Sequence, residues 1–195
     1  MRIYTRRGDD GTTGLLFGSR APKDSAVIEA CGAVDEAQAA IGMARALALR
    51  PAGEGADDLG ELDELLVGIE RDLWVLMADL AAAPGQRHRL EDGSTAVTEA
   101  MVERLEPVID SFSARSVPLT EFAVPGQSVP SAALDVARTV VRRAERRAVA
   151  AAAPGPHVVP YLNRLSDLLW TLARWLEGAP LPARAPTNEP IEELS

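Results

Sequence analysis

Between residues 59 and 80 the chain places Leu59, Leu62, Leu65, Leu66, Ile69, Leu73, Leu76 and Leu80 three or four positions apart. An α-helix turns about 100° per residue, so this spacing draws one apolar stripe along one side of a helix. A stripe of that length has to be covered, and the cover that suits it is other helices. Trp74 and Met77 sit beside the stripe and are read as core with it.

The rest of the chain supplies the cover. A first helix is expected from Asp24 or Ser25 to about Arg50, where Pro51 stops it. Its stripe is Val27, Ile28, Cys31, Val34, Ile41 and Ala44. The Gly- and Ala-rich linker PAGEGADD leads to the leucine helix, and the loop APGQRHRLEDGST with His88 follows it. A third helix starts near Thr98 and carries Met101, Val102, Leu105, Val108, Ile109 and Phe112, with a kink expected at Pro107. A fourth follows Ser128 or Ser131 as cap, with Pro130 in its first turn. A fifth spans about Pro160 to Glu177, with Leu162, Leu165, Leu169, Leu172 and Leu176 as its stripe. His157, in the turn before it, has no second ligand nearby and is not read as a metal ligand. Abundant Ala and only 4% aromatic residues fit packed helices. The expected class is all-α, in one domain over residues 1–178, with a disordered tail over 179–195.

Charge and composition exclude several functions. A net charge of -9 argues against nucleic acid, which needs a basic surface. No apolar run reaches the roughly 18 residues of a membrane span, and no signal-peptide core is visible. The single cysteine, Cys31, fits a reducing cytoplasm. There is no HExxH, no CxxC and no paired Glu-x-x-His, so no protein-held metal is expected.

Against this acidic background, ARTVVRRAER followed by Arg147 gathers Arg138, Arg142, Arg143, Arg146 and Arg147 around one acid, Glu145. On a helical wheel Arg138, Arg142, Glu145 and Arg146 share about a quarter-turn, opposite Ala133, Ala137, Val140, Val141, Ala144 and Ala148. Forked donors on one face suit a polyphosphate; a solvated charged face is the plain alternative. The leader MRIYTRRGDDGTTGLLFGSRAPKD mixes glycine, hydroxyl and arginine. It is either a flexible polar N-terminus or an anion-cradling loop, and neither a Walker A nor a Rossmann pattern. Lys23 is the sole lysine among 20 basic residues, which marks either a place that needs a compact, mobile ammonium or chance. Asp35 falls one turn after Cys31, near the packing side, so an Arg of the Arg138 helix is its natural partner; an ordinary exposed acid is the plain alternative. The segment SVPLTEFAVPGQSVPSAALD carries Phe122, Val124 and Val129 in a Pro- and Gly-rich stretch, which reads as the lining of a site. Asn163, Ser166 and Asp167 form a polar group that needs partners within an apolar helix.

Three blocks in this order carry a resemblance: YTRRGDDGTTGLLFGSRAPKD with EACGAVDEA, then VPGQSVPSAALDVARTVVRRAERR, then PYLNRLSDLLWTLAR. Over Ile3 to about Leu176 the chain resembles the ATP:cob(I)alamin adenosyltransferases of the PduO type. Each block is weak alone; their combination and spacing are specific. Departures are Ser19 after Gly18, Gln127 in PGQS, and Ala37 and Gln38 after the VDE of the first block. The resemblance implies a five-helix bundle with an extended N-terminal nucleotide-binding segment, acting as a homotrimer with sites between subunits. It implies transfer of the 5′-deoxyadenosyl group of ATP to cob(I)alamin, with Mg²⁺ on the phosphates and inorganic triphosphate released. By similarity Thr5, Arg6, Arg7, Gly8, Thr13, Gly14, Lys23, Arg142, Arg143, Ala144, Glu145, Arg146 and Asn163 contact ATP. Asp35 matches the acid that pairs with Arg138, and Phe122 the apolar residue beneath the corrin, where it displaces the lower axial ligand. Partners implied are ATP and corrinoid, with a reductase and a cobalamin-dependent acceptor enzyme. A non-catalytic escort or sensor of ATP or corrinoid is the alternative that the Ser19 and Gln127 departures motivate.

Overall fold

The computed structural model describes residues 4–49, 56–118, 121–151, 154–179 and 181–184. Among them a short antiparallel hairpin, β1 (Thr12–Gly14) and β2 (Arg20–Pro22), precedes six α-helices. These are α1 (Ala26–Ala48), α2 (Ala56–Leu80), α3 (Glu99–Glu103), α4 (Leu105–Ala114), α5 (Val129–Ala150) and α6 (Val158–Glu177). A 3-10 turn, Pro84–Arg89, stands between α2 and α3. No helix among the described residues is long and apolar enough to cross a membrane.

Six helices replace the five expected because the third is broken at Arg104. Pro107 is the cause. It has no N–H to give the carbonyl of Glu103 four residues back, and its ring crowds that carbonyl. The break falls directly after Glu103, three residues ahead of the proline itself.

Polar pairs along the helices fix their directions. Gln38 to Glu70 and Arg45 to Asp63 run α1 antiparallel to α2. Glu29 to Arg147 and Glu36 to Arg143 run α1 antiparallel to α5. Asn163 to Glu145 and Arg174 to Asp135 do the same for α5 and α6. The α1 stripe differs from the expected one. Its buried residues are Ala30, Ala33, Val34, Ala37, Ile41, Ala44 and Ala48, with Val27 and Cys31 at the margin. The α5 face is also alanine-rich, with Ala133, Ala137, Ala144 and Ala148 buried. Small side chains on both helices let their axes approach closely.

The leucine stripe of α2 behaves as expected, with Leu62, Leu66, Ile69, Leu73, Leu76 and Leu80 buried. Trp74 does not belong to it: the indole is 65% exposed. It follows Leu73 by 100° of rotation, which carries it off the packed face. Leu181 to Arg184, expected as the start of the disordered tail, pair instead with the loop before α5. The Val124 N–H bonds Leu181 O at 2.8 Å and the Ala183 N–H bonds Phe122 O at 2.6 Å. The remainder of that tail, 185–195, lies outside the described residues.

Candidate active site

Helix α5 carries the basic residues, and its start is well specified. Ser128 accepts the N–H of Ser131 at 3.2 Å, and the Ser131 hydroxyl returns a bond from the Ser128 N–H at 3.2 Å. This reciprocal cap, with Pro130 in the first turn, satisfies donors that a helix start otherwise leaves unpaired. Gln127 stands outside the cap and is exposed, so that departure leaves the helix start intact.

The two faces of α5 separate as the wheel predicts. Ala137, Val141, Ala144 and Ala148 are buried; Arg142, Arg143, Arg146 and Arg147 are exposed. Arg143 is paired with Glu36, and Arg147 lies 3.4 Å from Glu29. Arg146 turns back to bond the Arg142 carbonyl at 2.9 Å. Among the described residues the Arg142 guanidinium has no hydrogen bond and no ion pair. Glu145 is partly buried and accepts the Asn163 side-chain N–H at 3.2 Å, which joins the polar group of α6 to the basic face. Ala144, among the candidate contacts, is wholly buried in the core, on the side of α5 opposite the arginines.

Asp35 also differs from its expected placement. It is exposed, and the acids of α1 that meet α5 are its neighbours Glu29 and Glu36. Arg138 pairs within its own helix, donating Nε–H to Asp135 Oδ1 at 3.1 Å. Within one chain, then, Asp35 and Arg138 are not partners.

The described part of the leader, from Tyr4, contains the β1–β2 hairpin. Arg20 ties it together, bonding the Thr12 hydroxyl at 3.0 Å through Nε and the Arg7 carbonyl at 2.6 Å through Nη2. Asp10 accepts the Thr12 N–H at 2.9 Å and its hydroxyl at 2.8 Å. These bonds hold the Asp10 carboxyl below its usual pKa. Arg6 adopts a left-handed backbone, φ 60°, and exposed Thr5, Arg6 and Arg7 lie on the same turn as Gly8. A Cβ on Gly8 would stand 3.2 Å from Lys23 Nζ and 3.2 Å from the Thr12 carbonyl, so glycine lets the ammonium lie against the loop. Thr13 and Gly14 complete β1 beside it. The Ser19 departure has a structural use: its hydroxyl bonds Gln86 Oε1 at 3.0 Å. Leu16 N–H to Ala81 O at 3.0 Å, and Arg89 stacked 4.2 Å over the Phe17 ring, dock the hairpin on the end of α2.

Antiparallel α1 and α5 place the arginine half of α5 beside the half of α1 that the leader feeds. Leader and basic face therefore share one end of the bundle. No hydrogen bond or ion pair joins them among the described residues. At its other end, the loop before α5 exposes Phe122 at 82%, along with Val124 and Val129. An apolar ring so uncovered suits contact with a large apolar surface.

Sequence reasoning missed the buried charges. Asp79 accepts the N–H groups of Val97 at 3.0 Å and Gly155 at 3.1 Å and the Arg87 guanidinium at 2.6 Å. Asp72 accepts the Tyr161 hydroxyl at 2.6 Å and pairs with Arg104. The available signal was an acid standing on the apolar register of α2, three residues after Ile69 and after Leu76. No group of three or more His, Cys, Asp or Glu among the described residues is arranged to hold a metal.

The family model described as cobalamin adenosyltransferase matches residues 3–176. A corrinoid adenosyltransferase of Mycobacterium bovis is 44% identical over 178 residues, covering 89% of this chain and 87% of that protein. One from Citrobacter freundii is 40% identical over 182 residues, covering 92% and 97%. A variant PduO-type ATP:corrinoid adenosyltransferase from Lactobacillus reuteri, solved with cobalamin and ATP, superposes with a TM-score of 0.82 at 27% identity, covering 94% of this chain and 100% of that one. By the extent of these matches, the chain belongs to the cobalamin adenosyltransferase family.

Proposed function

We propose that the chain transfers the 5′-deoxyadenosyl group of ATP to cob(I)alamin at sites formed between subunits of a homotrimer. The Co(I) lone pair attacks C5′; a Co–C bond forms as the C5′–O bond breaks, and triphosphate leaves with the electron pair. The observation that carries this reading is the unpartnered Arg142 guanidinium beside Arg143 and Arg147, which are tethered to α1, and Arg146, which turns back on its own helix. Charge gathers on the leaving triphosphate, and donors already in place lower that barrier without reorganising. Arg142, Arg143 and Arg146 act there with Lys23 and the hairpin turn of Thr5, Arg6, Arg7, Gly8, Thr13 and Gly14. Glu145 and Asn163 hold the far side of the nucleotide.

Mg²⁺ fits this site as a phosphate-bound ion. The groups assigned to the nucleotide are cations, hydroxyls and amides with Glu145 as their one acid, so the ligands of Mg²⁺ would be chiefly phosphate oxygens and water. When bound it would neutralise part of the triphosphate charge. Phe122 would lie under the corrin and keep its lower face free of an axial ligand. Asp35 of one copy meets Arg138 of the next, since neither finds the other within a chain. A cytoplasmic location, a reductase that supplies Co(I), and an acceptor enzyme that takes the product complete the reading.

The test is spectroscopic. ATP, Mg²⁺ and chemically reduced cobalamin should give adenosylcobalamin and one triphosphate per turnover. Tight binding of both substrates with no Co–C bond formed would favour an escort or sensor.

A further inference from the structure

We propose that Asp135 is a positioning residue for the transfer, acting through Arg138; this rests on the assignment of Arg138 to the site. Asp135 is only 5% exposed and lies on the buried face of α5. Its two oxygens do different work. Oδ2 accepts the Arg174 Nη2–H at 2.5 Å, from a guanidinium that is 3% exposed. Oδ1 accepts the Arg138 Nε–H at 3.1 Å. Arg174 has a second anchor, because Glu177 receives Nη2 at 3.0 Å and faces Nε at 2.9 Å.

Two carboxylates and two guanidiniums therefore make a charge-balanced group running from α6 to α5. Arg174 and Glu177 would balance each other without help. Asp135 adds a carboxylate that a purely structural core could replace with an apolar side chain of like volume. What it supplies is a hold on Arg138, the one member of the group that reaches towards solvent. A bond at Nε restricts the arginine's long side chain while leaving the forked end unused. Neither Nη of Arg138 has a partner among the described residues. A fork held from behind meets a carboxylate or a substrate with less side-chain entropy still to lose.

The experiment is a double-mutant cycle of Asp135→Asn and Arg138→Ala, read as kcat and as KM for ATP and for cobalamin. Asp135→Asn should lower kcat by about tenfold while KM for ATP stays within about twofold, as expected when an interaction made in the transition state is lost. Arg138→Ala should cost at least as much, and the double variant should be no worse than Arg138→Ala alone. Glu177→Gln is the structural control. It loosens Arg174 without touching the Asp135–Arg138 bond, so it should lower Tm and leave kcat within about twofold of the parent.

If Asp135→Asn does not fold, Asp135→Glu takes its place in the cycle; it keeps the charge but displaces the oxygen that holds Arg138. Losses that multiply in the double variant, or unchanged kcat in the folded Asp135 variants, overturn the inference while leaving Arg138 in the site. Parental turnover by Arg138→Ala removes Arg138 from the site, and Asp135 with it.

Discussion

Gly155 gives its backbone N–H to Asp79 Oδ1 at 3.1 Å, from so close that a Cβ there would stand 2.5 Å from the same oxygen. The turn between α5 and α6 is thereby laid directly on a buried carboxylate at the end of α2. The Arg87 side chain closes the other flank, 2.7 Å from that Cβ position. Helix ends that would drift apart are tied at one point, close to where the leader hairpin docks.

Gly155→Ala should therefore be costly out of proportion to one methyl group. Either the turn lifts and the carboxylate loses a donor, or the Arg87–Asp79 pair opens. Both leave buried polar groups unpaired, worth about 2 kcal/mol or more. For a chain of this size that corresponds to a Tm lower by about 4–8 °C in thermal denaturation. A Tm within one degree of the parent would mean that the turn moves freely and that Asp79 does not anchor it.

Arg142→Ala should behave in the opposite way. The side chain is exposed and has no partner among the described residues, so folding loses almost nothing with it. Tm should hold within about 1–2 °C, as for a surface substitution. Turnover should fall by about a hundredfold or more if the guanidinium meets charge that develops on the triphosphate. A large fall in Tm without ligand would show instead that Arg142 supports the bundle.

How much of this was legible in the sequence depends on the scale of the signal. The leucine stripe of α2 and the arginine face of α5 repeat over many residues, and both appear as the wheel draws them. The split of the third helix was half legible: Pro107 announced it, but the broken bond lies four residues upstream, at Glu103. The hairpin was not legible, because strands of three residues show no alternation. The α1 stripe was read in part: Val34, Ile41 and Ala44 are buried as expected, but Ala30, Ala33, Ala37 and Ala48 were passed over because large apolar residues were weighted over alanine, which close packing between α1 and α5 selects. Asp72, Asp79 and Asp135 were missed for one shared reason. The α2 register flags Asp72 and Asp79 as acids on an apolar face, but the partners that let a buried acid stand there, Tyr161, Gly155 and Arg174, are distant in sequence and no local pattern names them.

Cys31 gives a pH-dependent expectation. Burial pushes its thiol from an ordinary 9.0 up to about 11. The folded chain thus holds this proton more tightly than the unfolded chain does. The stability it contributes is complete below pH 9 and is lost as pH rises from 9 towards 11. The thiolate is the reactive form, so alkylation by iodoacetamide at pH 8 should be at least about tenfold slower in the native protein than in denaturant. Equal rates would show that the thiol is solvated in the native fold. Cys31→Ala should flatten the alkaline side of the stability curve between those two pH values.

Phe122→Ala separates the two substrates. The ring is 82% exposed, so its removal creates no cavity and Tm should stay within about 1 °C. The backbone around it is pinned by the bonds to Leu181 and Ala183, so the loop should keep its course when the ring is gone. The nucleotide contacts proposed above lie on α5, α6 and the leader, and none involves this loop. ATP affinity by calorimetry should therefore be unchanged. Formation of adenosylcobalamin should fall by about tenfold or more, because the lower face of the corrin would lose the apolar group that excludes a ligand from cobalt. The same logic fixes what would count against it. Weakened ATP binding would move Phe122 to the nucleotide side, and unchanged turnover with normal cobalamin binding would leave the exposed ring without a part in the reaction.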